Sequence, residues 1–248
     1  MTLEAIAALS RQPLDFYTDI LRQNKGMHGD TPMDTQQPIV YQGQFGEFTI
    51  DQSDRQGVIT YRAGLMVAAL SFALGSTIVL WQGEHQAVLQ ALSPLYTLFC
   101  IGLGISLLAI HIYMVMLHRA LQVFWIIGAI AAIAVAHFYT EPFALTLYQH
   151  PVTILGVGFT FAALTGLFFK EAACFNRLET KVLTPLVPLL LMGHLLGFLP
   201  VMEEKILLAV WTVLFMVFAL RKVFQPIPPD IGDKSVFAYL KNQKLEDA

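Results

Sequence analysis

Two histidines stand inside long apolar runs, His111 in Leu95–Leu117 and His194 in Val182–Val201. An ionisable side chain in such surroundings is costly unless it is partnered or functional, which makes each a candidate cofactor-binding residue. A neutral imidazole offers one ring nitrogen to haem iron, chlorophyll magnesium or a transition metal. One haem shared by both rings requires similar depths. His111 lies about eight residues from Arg119 and His194 about thirteen from Lys181, so at about 1.5 Å per residue the depths differ by roughly 7 Å. Separate ligation is less constrained. The competing reading is a neutral histidine that donates to a backbone carbonyl or a Ser/Thr hydroxyl of a neighbouring helix. No particular cofactor follows from the residues.

Other chemistry-bearing residues sit at the ends of the apolar runs. Glu84, His85, His137, Glu141, His150, Glu203 and Glu204 are types that bind a divalent metal and activate water. Their spacing fixes no site: there is no His-Glu-x-x-His, and loop polarity accounts for them, so no metal ligand is assigned. At the other ends, Arg55, Arg62, Lys170 and Arg177 can pair with Asp51, Asp54, Glu171 and Glu179, or meet lipid phosphates. Arg55, Arg62, Lys170, Glu171 and Arg177 are therefore the candidate contact residues of a charged collar, either structural or facing a larger complex.

Several mechanisms lose support. No apolar run carries a carboxylate, which an ion-coupled transporter usually keeps. Gly-Lys-Ser/Thr never occurs, so there is no phosphate loop. Ser71, Ser76 and Ser106 lack an evident base, and Cys100 and Cys174, 74 residues apart, suggest no redox pair. No catalytic residue is assigned, and an enzyme is disfavoured.

The elements that must position these groups follow from composition. Of 248 residues, 56% are hydrophobic and 13% charged, against about 45–50% and about 25% in soluble domains. With a mean hydropathy of +0.60 and a net charge of −3, a soluble enzyme, a disordered chain and a nucleic-acid binder are excluded. Six runs lack Asp, Glu, Lys and Arg: Ala63–Trp81, Leu95–Leu117, Ala120–Phe138, Val152–Phe169, Val182–Val201 and Ile206–Leu220. The first five have 18–23 residues, enough for a hydrocarbon layer of roughly 30 Å at about 1.5 Å per residue. The sixth has 15 and relies on Lys205 and Arg221 to snorkel; five spans are the fallback if it lies in the interface. Inside a bilayer the backbone must satisfy itself, so these runs are helices.

The expected fold class is therefore all-α, a polytopic transmembrane bundle of six spans. If all six cross, fourteen of the fifteen basic residues lie on one side and Lys205 alone on the other, so both termini are cytoplasmic. Trp81, Tyr96, Tyr139 and Tyr148 fall at the outer ends, as an aromatic belt requires. Met1–Ser10 shows no cleavable signal. The chain then divides into a cytoplasmic segment 1–62, a membrane domain 63–224 and a cytoplasmic tail 225–248.

In the first segment, Thr2–Ser10 and Pro13–Gln23 read as short amphipathic helices and Asn24–Pro38 as loop. Ile39–Tyr41 and Phe48–Ile50 flank a hairpin turn with Gly43 and Gly46. The tail opens on Gln225-Pro-Ile-Pro-Pro, an extended spacer; Asp233 or Ser235 then caps a short helix, or the tail is solvated. Small residues four apart, Gly158/Ala162/Gly166, Gly128/Ala132/Ala136 and Gly193/Gly197, suit close helix packing within the chain. Two three-span halves would have opposite orientations, with His111 and His194 in their middle spans, the layout of an inverted-repeat permease.

Two stretches carry a resemblance. YQGQFGEFTI from Tyr41 to Ile50, followed by Asp54-Arg55 and by YRAGL from Tyr61 to Leu65, resembles the approach to the membrane domain in an uncharacterised integral membrane family of cyanobacteria and plastids. GLFFKE from Gly166 to Glu171, with Cys174 and Leu178-Glu179, is similar to that family's loop between the fourth and fifth spans. The resemblance covers roughly residues 40–225 and implies a plasma or thylakoid membrane but no activity. The expected role is an accessory or assembly factor of a membrane complex, with lipid and complex subunits as partners and no nucleic acid. A haem- or chlorophyll-binding protein and a small-solute permease are the alternatives.

Overall fold

The computed structural model describes residues 39–83, 85–110, 115–236 and 239. The expected helices Thr2–Ser10 and Pro13–Gln23 and the loop Asn24–Pro38 lie outside the described residues, and so do Glu84 and His111.

A hairpin comes first. Strands β1 (Val40–Gly43) and β2 (Gly46–Thr49) pair antiparallel from Val40↔Thr49 to Gly43↔Gly46 around a two-residue turn. Helix α1 (Gln52–Gln82) then begins well before the apolar run, because Asp51 and Asp54 form a reciprocal capping box with both bonds at 2.9 Å. Its partner α2 (Gln86–Ala109) absorbs Pro94 inside the helix, so the second helix is displaced toward the N-terminus relative to Leu95–Leu117. Helix α3 is Val115–Phe138, the short α4 is Phe143–Gln149, and a 3₁₀ turn at Pro151–Thr153 leads into α5 (Ile154–Phe175). Asn176, at φ 50°, ends α5 in the left-handed cap that asparagine tolerates.

Helix α6 (Leu178–Leu196) ends in a Schellman motif. Gly197, at φ 68°, donates to His194 O and Phe198 donates to Gly193 O, both at 3.1 Å. Helix α7 (Val201–Phe224) has Glu203 and Glu204 in its first turn and Arg221 and Lys222 in its last, matching its dipole. The segment expected as an extended spacer instead winds a short helix, α8 (Pro228–Ile231). Proline in a first turn is preorganised for a helix and lacks only an N–H that would have had no partner there.

Five helices among the described residues are long and apolar enough to cross a membrane: Gln52–Gln82, Gln86–Ala109, Val115–Phe138, Pro151–Phe175 and Val201–Phe224. The run expected to be marginal, Ile206–Leu220, belongs to one of them. The odd one out is α6, built from the fifth run. Its 19 residues include Glu179, Lys181, Pro185, Pro188 and His194, which dilute its apolar character. It nevertheless packs between α5 and α7 and contributes Leu183, Val187 and Leu190 to the core.

That core runs through the bundle as Leu65, Ala68, Phe99, Leu103, Leu164, Leu167, Phe168, Val187, Phe215 and Phe218. The tightest approach is between α1 and α2. A Cβ on Gly64 would stand 2.6 Å from Gly102 O, and one on Gly102 2.7 Å from Gly64 O, so the two backbones touch without intervening side chains. Of the small-residue stripes, Gly128 sits against the Thr160 backbone and Gly166 against Leu121, joining α3 to α5. Gly158 does not join helices: its nearest neighbour is Ile154 of its own helix. Ile126, Ile130 and Ile133 of α3 are exposed, as side chains facing lipid should be.

Candidate functional site

The densest polar constellation lies at the hairpin end of the bundle, where α1 starts, α5 and α7 finish and α6 begins. Lys222, in the last turn of α7, and Glu171, near the end of α5, are fully buried. The Lys222 ammonium lies 2.6 Å from Glu171 Oε2 and also pairs with Asp230 of α8. Glu171 Oε1 accepts from Lys170 Nζ at 2.9 Å and from the Tyr61 hydroxyl of α1 at 3.1 Å. Asp230 Oδ2 accepts a forked pair from Arg62, Nη2 at 2.6 Å and Nε at 2.9 Å, while Gln225 Nε2 donates to its other oxygen at 3.0 Å. Arg62 has donors left, and it uses them on Gln225 O and Pro226 O at 2.6 and 2.9 Å. Both guanidinium donors converge on one oxygen, which leaves Oδ1 to Lys222 and Gln225.

A second, shallower layer continues outward. Arg177 donates to Gln225 Oε1 at 2.5 Å and lies 4.0 Å from Glu179, which also accepts from Arg221 at 3.0 Å. The Phe175 ring sits among three cations, with Lys222 Nζ 4.0 Å from its centroid and Lys170 and Arg177 at 5.6 Å. Charges this deep persist only when each meets an opposite charge and its remaining hydrogen-bonding capacity is met, which describes Lys222, Glu171 and Asp230.

Four of the five candidate collar residues, Arg62, Lys170, Glu171 and Arg177, come together here. Arg55 does not: it is exposed on the first turn of α1. Sequence reasoning missed Lys222, Asp230, Gln225 and Tyr61. Lys222 counted only among the basic residues that follow the last run, and Asp230 stands just past the spacer Gln225-Pro-Ile-Pro-Pro; only the helical turn at Pro228–Ile231 brings that carboxylate back to α7. Arg62 pairs with Asp230 rather than with Asp51 or Asp54, whose carboxylates lie 3.8 and 2.6 Å from Lys234 Nζ.

Beside this cluster the tail closes over the hairpin. Asp233 Oδ2 accepts from Gln44 N at 2.6 Å, Ser235 Oγ accepts from Phe45 N at 3.0 Å, and the rings of Phe45 and Tyr239 stack at 4.1 Å. Asp233 also caps the following turn, accepting from Ser235 N at 2.9 Å. At Asp233, Ser235 and Tyr239 the tail is therefore packed on the hairpin, and Gly43 has no room for a Cβ against Asp233 and Ser235.

The histidines divide. His111 falls past Ala109, where α2 ends, and lies outside the described residues. His194 is at the opposite end of the bundle, with Nδ1 2.7 Å from Glu204 Oε1 and Nε2 3.1 Å from Tyr148 O. Its ring stacks on Tyr148 at 4.8 Å, so both nitrogens face protein oxygens and α4 is pinned across the ends of α6 and α7. Partial burial, then the Glu204 carboxylate, push the Tyr148 phenol up. His118 places Nε2 2.7 Å from Leu107 O, near the end of α2. No group of three His, Cys, Asp or Glu suited to a metal ion occurs among the described residues.

Between α4 and the core lies a partly open cavity of about 310 Å³, walled chiefly by apolar and aromatic side chains with His194 at its edge.

A bundle of long apolar helices, charged where the helices end and apolar where they face outward, defines an integral, multi-pass membrane protein in contact with the lipid bilayer. The family model for DUF2301, described as uncharacterized integral membrane protein, matches residues 105–239, and the chain belongs to that family. The Gly166–Glu179 stretch lies inside the match and the Tyr41–Leu65 stretch ahead of it. No curated protein and no solved structure matches the chain.

Proposed function

We propose that this protein is an accessory or assembly factor of a membrane complex, acting without chemistry of its own through the face that carries the hairpin and the tail. In this reading α6 crosses together with the five apolar helices, giving six spans. The basic residues then place the hairpin end on the cytoplasmic side. One observation carries the proposal: the buried charges at that end neutralise one another instead of presenting a free acid, base or nucleophile. Lys222, Glu171 and Asp230 are spent on tying α5, α7 and α8 together, and Arg62 adds α1. Such a closed network makes a rigid platform, and a platform suits docking better than turnover. Exposed residues on it, Arg55 and Lys181, then meet the partner, while Arg62, Lys170, Glu171 and Arg177 hold its shape. The resemblance to a cyanobacterial and plastid family supports a plasma or thylakoid membrane and a photosynthetic complex.

The test is purification of the tagged chain from its native membrane in mild detergent. Stoichiometric companion subunits are expected, lost in the folded Arg55→Glu/Lys181→Glu variant. A chain that purifies alone, or companions that ignore the charge reversal, would refute the docking role.

A further inference from the structure

We propose that the cavity beneath α4 is a binding site for an uncharged, lipid-soluble molecule bearing a carbonyl on a flat ring, with the Trp211 indole N–H as the donor to that carbonyl. At about 310 Å³ the cavity falls at the lower end of the roughly 300–1,000 Å³ range of small-molecule sites. Its walls carry seven Phe, Tyr and Trp rings, among them Phe72, Tyr96, Phe143, Tyr148, Phe161 and Trp211. They pack in tilted, stacked and edge-on pairs, such as Phe72–Trp211 at 4.5 Å, Tyr96–Phe143 at 4.8 Å and Phe161–Trp211 at 5.4 Å. Faces and edges of this kind favour a planar guest over a branched chain.

The hydrogen-bonding inventory narrows the guest further. Trp211 is only 2% exposed, and its Nε1 has no acceptor among the described residues. An indole N–H can only donate, and buried donors are almost always met; Nε1 is itself closed off from the cavity that Trp211 lines, so a guest takes this bond once the ring turns its N–H toward it. The Tyr96 hydroxyl is already committed to Thr160 Oγ1 at 3.2 Å, and His194 is held by Glu204 and Tyr148. Ser71 and Ser76 add hydroxyls to the wall. Among the described residues no Asp, Glu, Lys or Arg lines the cavity, which disfavours a phosphate or ammonium group there. A quinone ring and the ester carbonyl of a membrane lipid share the acceptor chemistry, but only the quinone also supplies the flat ring.

The experiment uses the full chain in phosphatidylcholine nanodiscs with decylbenzoquinone, a quinone on a short alkyl tail, as the probe. Saturable one-to-one binding is expected. Trp211→Phe keeps a ring and removes the donor, and should weaken binding about tenfold. Gly75→Leu should abolish it, because Gly75 lines the cavity and a Cβ there meets nothing closer than Leu92 Cδ2 at 3.4 Å, leaving the rest of the side chain to fill the space. Melting temperatures identify which variants are folded. No saturable binding to the parent overturns the site, equal binding by folded Trp211→Phe overturns the donor, and unchanged binding by Gly75→Leu overturns the location. Native mass spectra separate the two carbonyl sources: a phospholipid adduct that the quinone cannot displace would overturn the ring assignment.

Discussion

At the hairpin end, fully buried Lys222 and Glu171 belong to a network in which Lys222, Glu171 and Asp230 each meet an opposite charge at close range, whereas the α4 end has aromatic walls, one histidine–carboxylate contact and a cavity. Both ends close the same six long helices. The first is held by directional interactions among groups that are expensive to bury singly; the second by dispersion between rings that leave space unfilled. The difference teaches where each end is vulnerable. A network of mutually dependent charges fails sharply when one member is removed, while an aromatic wall around a void tolerates change and can admit a guest.

The largest effect should come from Lys222→Met. It leaves Glu171 and Asp230 without their shared cation, and breaking a buried ion pair typically costs about 3–5 kcal/mol. Reversible unfolding in detergent checks this. Glu171→Gln should cost less in that variant than in the parent, since Lys222 is no longer there to lose its partner while Lys170 is left in both; strict additivity of the two losses would show that the residues do not act as a unit.

Next, Gly102→Leu should force α1 from α2 against a backbone only 2.7 Å away, at about 1–3 kcal/mol, read as a lower melting temperature. This contact lies between the two ends and should weaken both. At the α4 end, His194→Ala should cost about 1 kcal/mol through its contacts with Glu204 and Tyr148 and increase hydrogen exchange in Phe143–Gln149. A loss as large as that of Lys222→Met would erase the contrast between the ends. Smallest of all, Arg55→Ala should change stability by no more than about 0.5 kcal/mol, because the side chain is exposed.

Much of the helical architecture was legible because hydropathy is a local property: an uncharged run of some twenty residues announces itself without its neighbours. The register of those helices was less legible. Pro94 looked like a boundary but sits within α2, and Pro228 looked like a spacer but starts a helical turn, since proline forbids a preceding hydrogen bond and not a helix as such. Helix α6 is the less clear case: its apolar stretch was visible, but Pro185, Pro188 and the polar first turn lower its hydropathy over a span's length below that of the other five. In the charged cluster, Lys170–Glu171 and Arg177–Glu179 were readable from proximity along the chain. The bonds from Arg62 to Asp230 span 168 residues, and no local pattern specifies which distant carboxylate an arginine reaches. The hairpin, by contrast, was fully local, with Gly43 and Gly46 flanking the turn as expected.

The clasp between the hairpin and the tail has a consequence in time as well as in space. Gln44 leaves the ribosome 189 residues before Asp233, the residue whose carboxylate receives its amide. The hairpin's outer amides exchange water for Asp233 and Ser235, and Lys234 reaches Thr49 and Asp54, only once every intervening helix has been made. Closure of the clasp therefore comes after synthesis of every long helix. A chain that stops before Asp233 lacks the acceptors for the hairpin's outer amides.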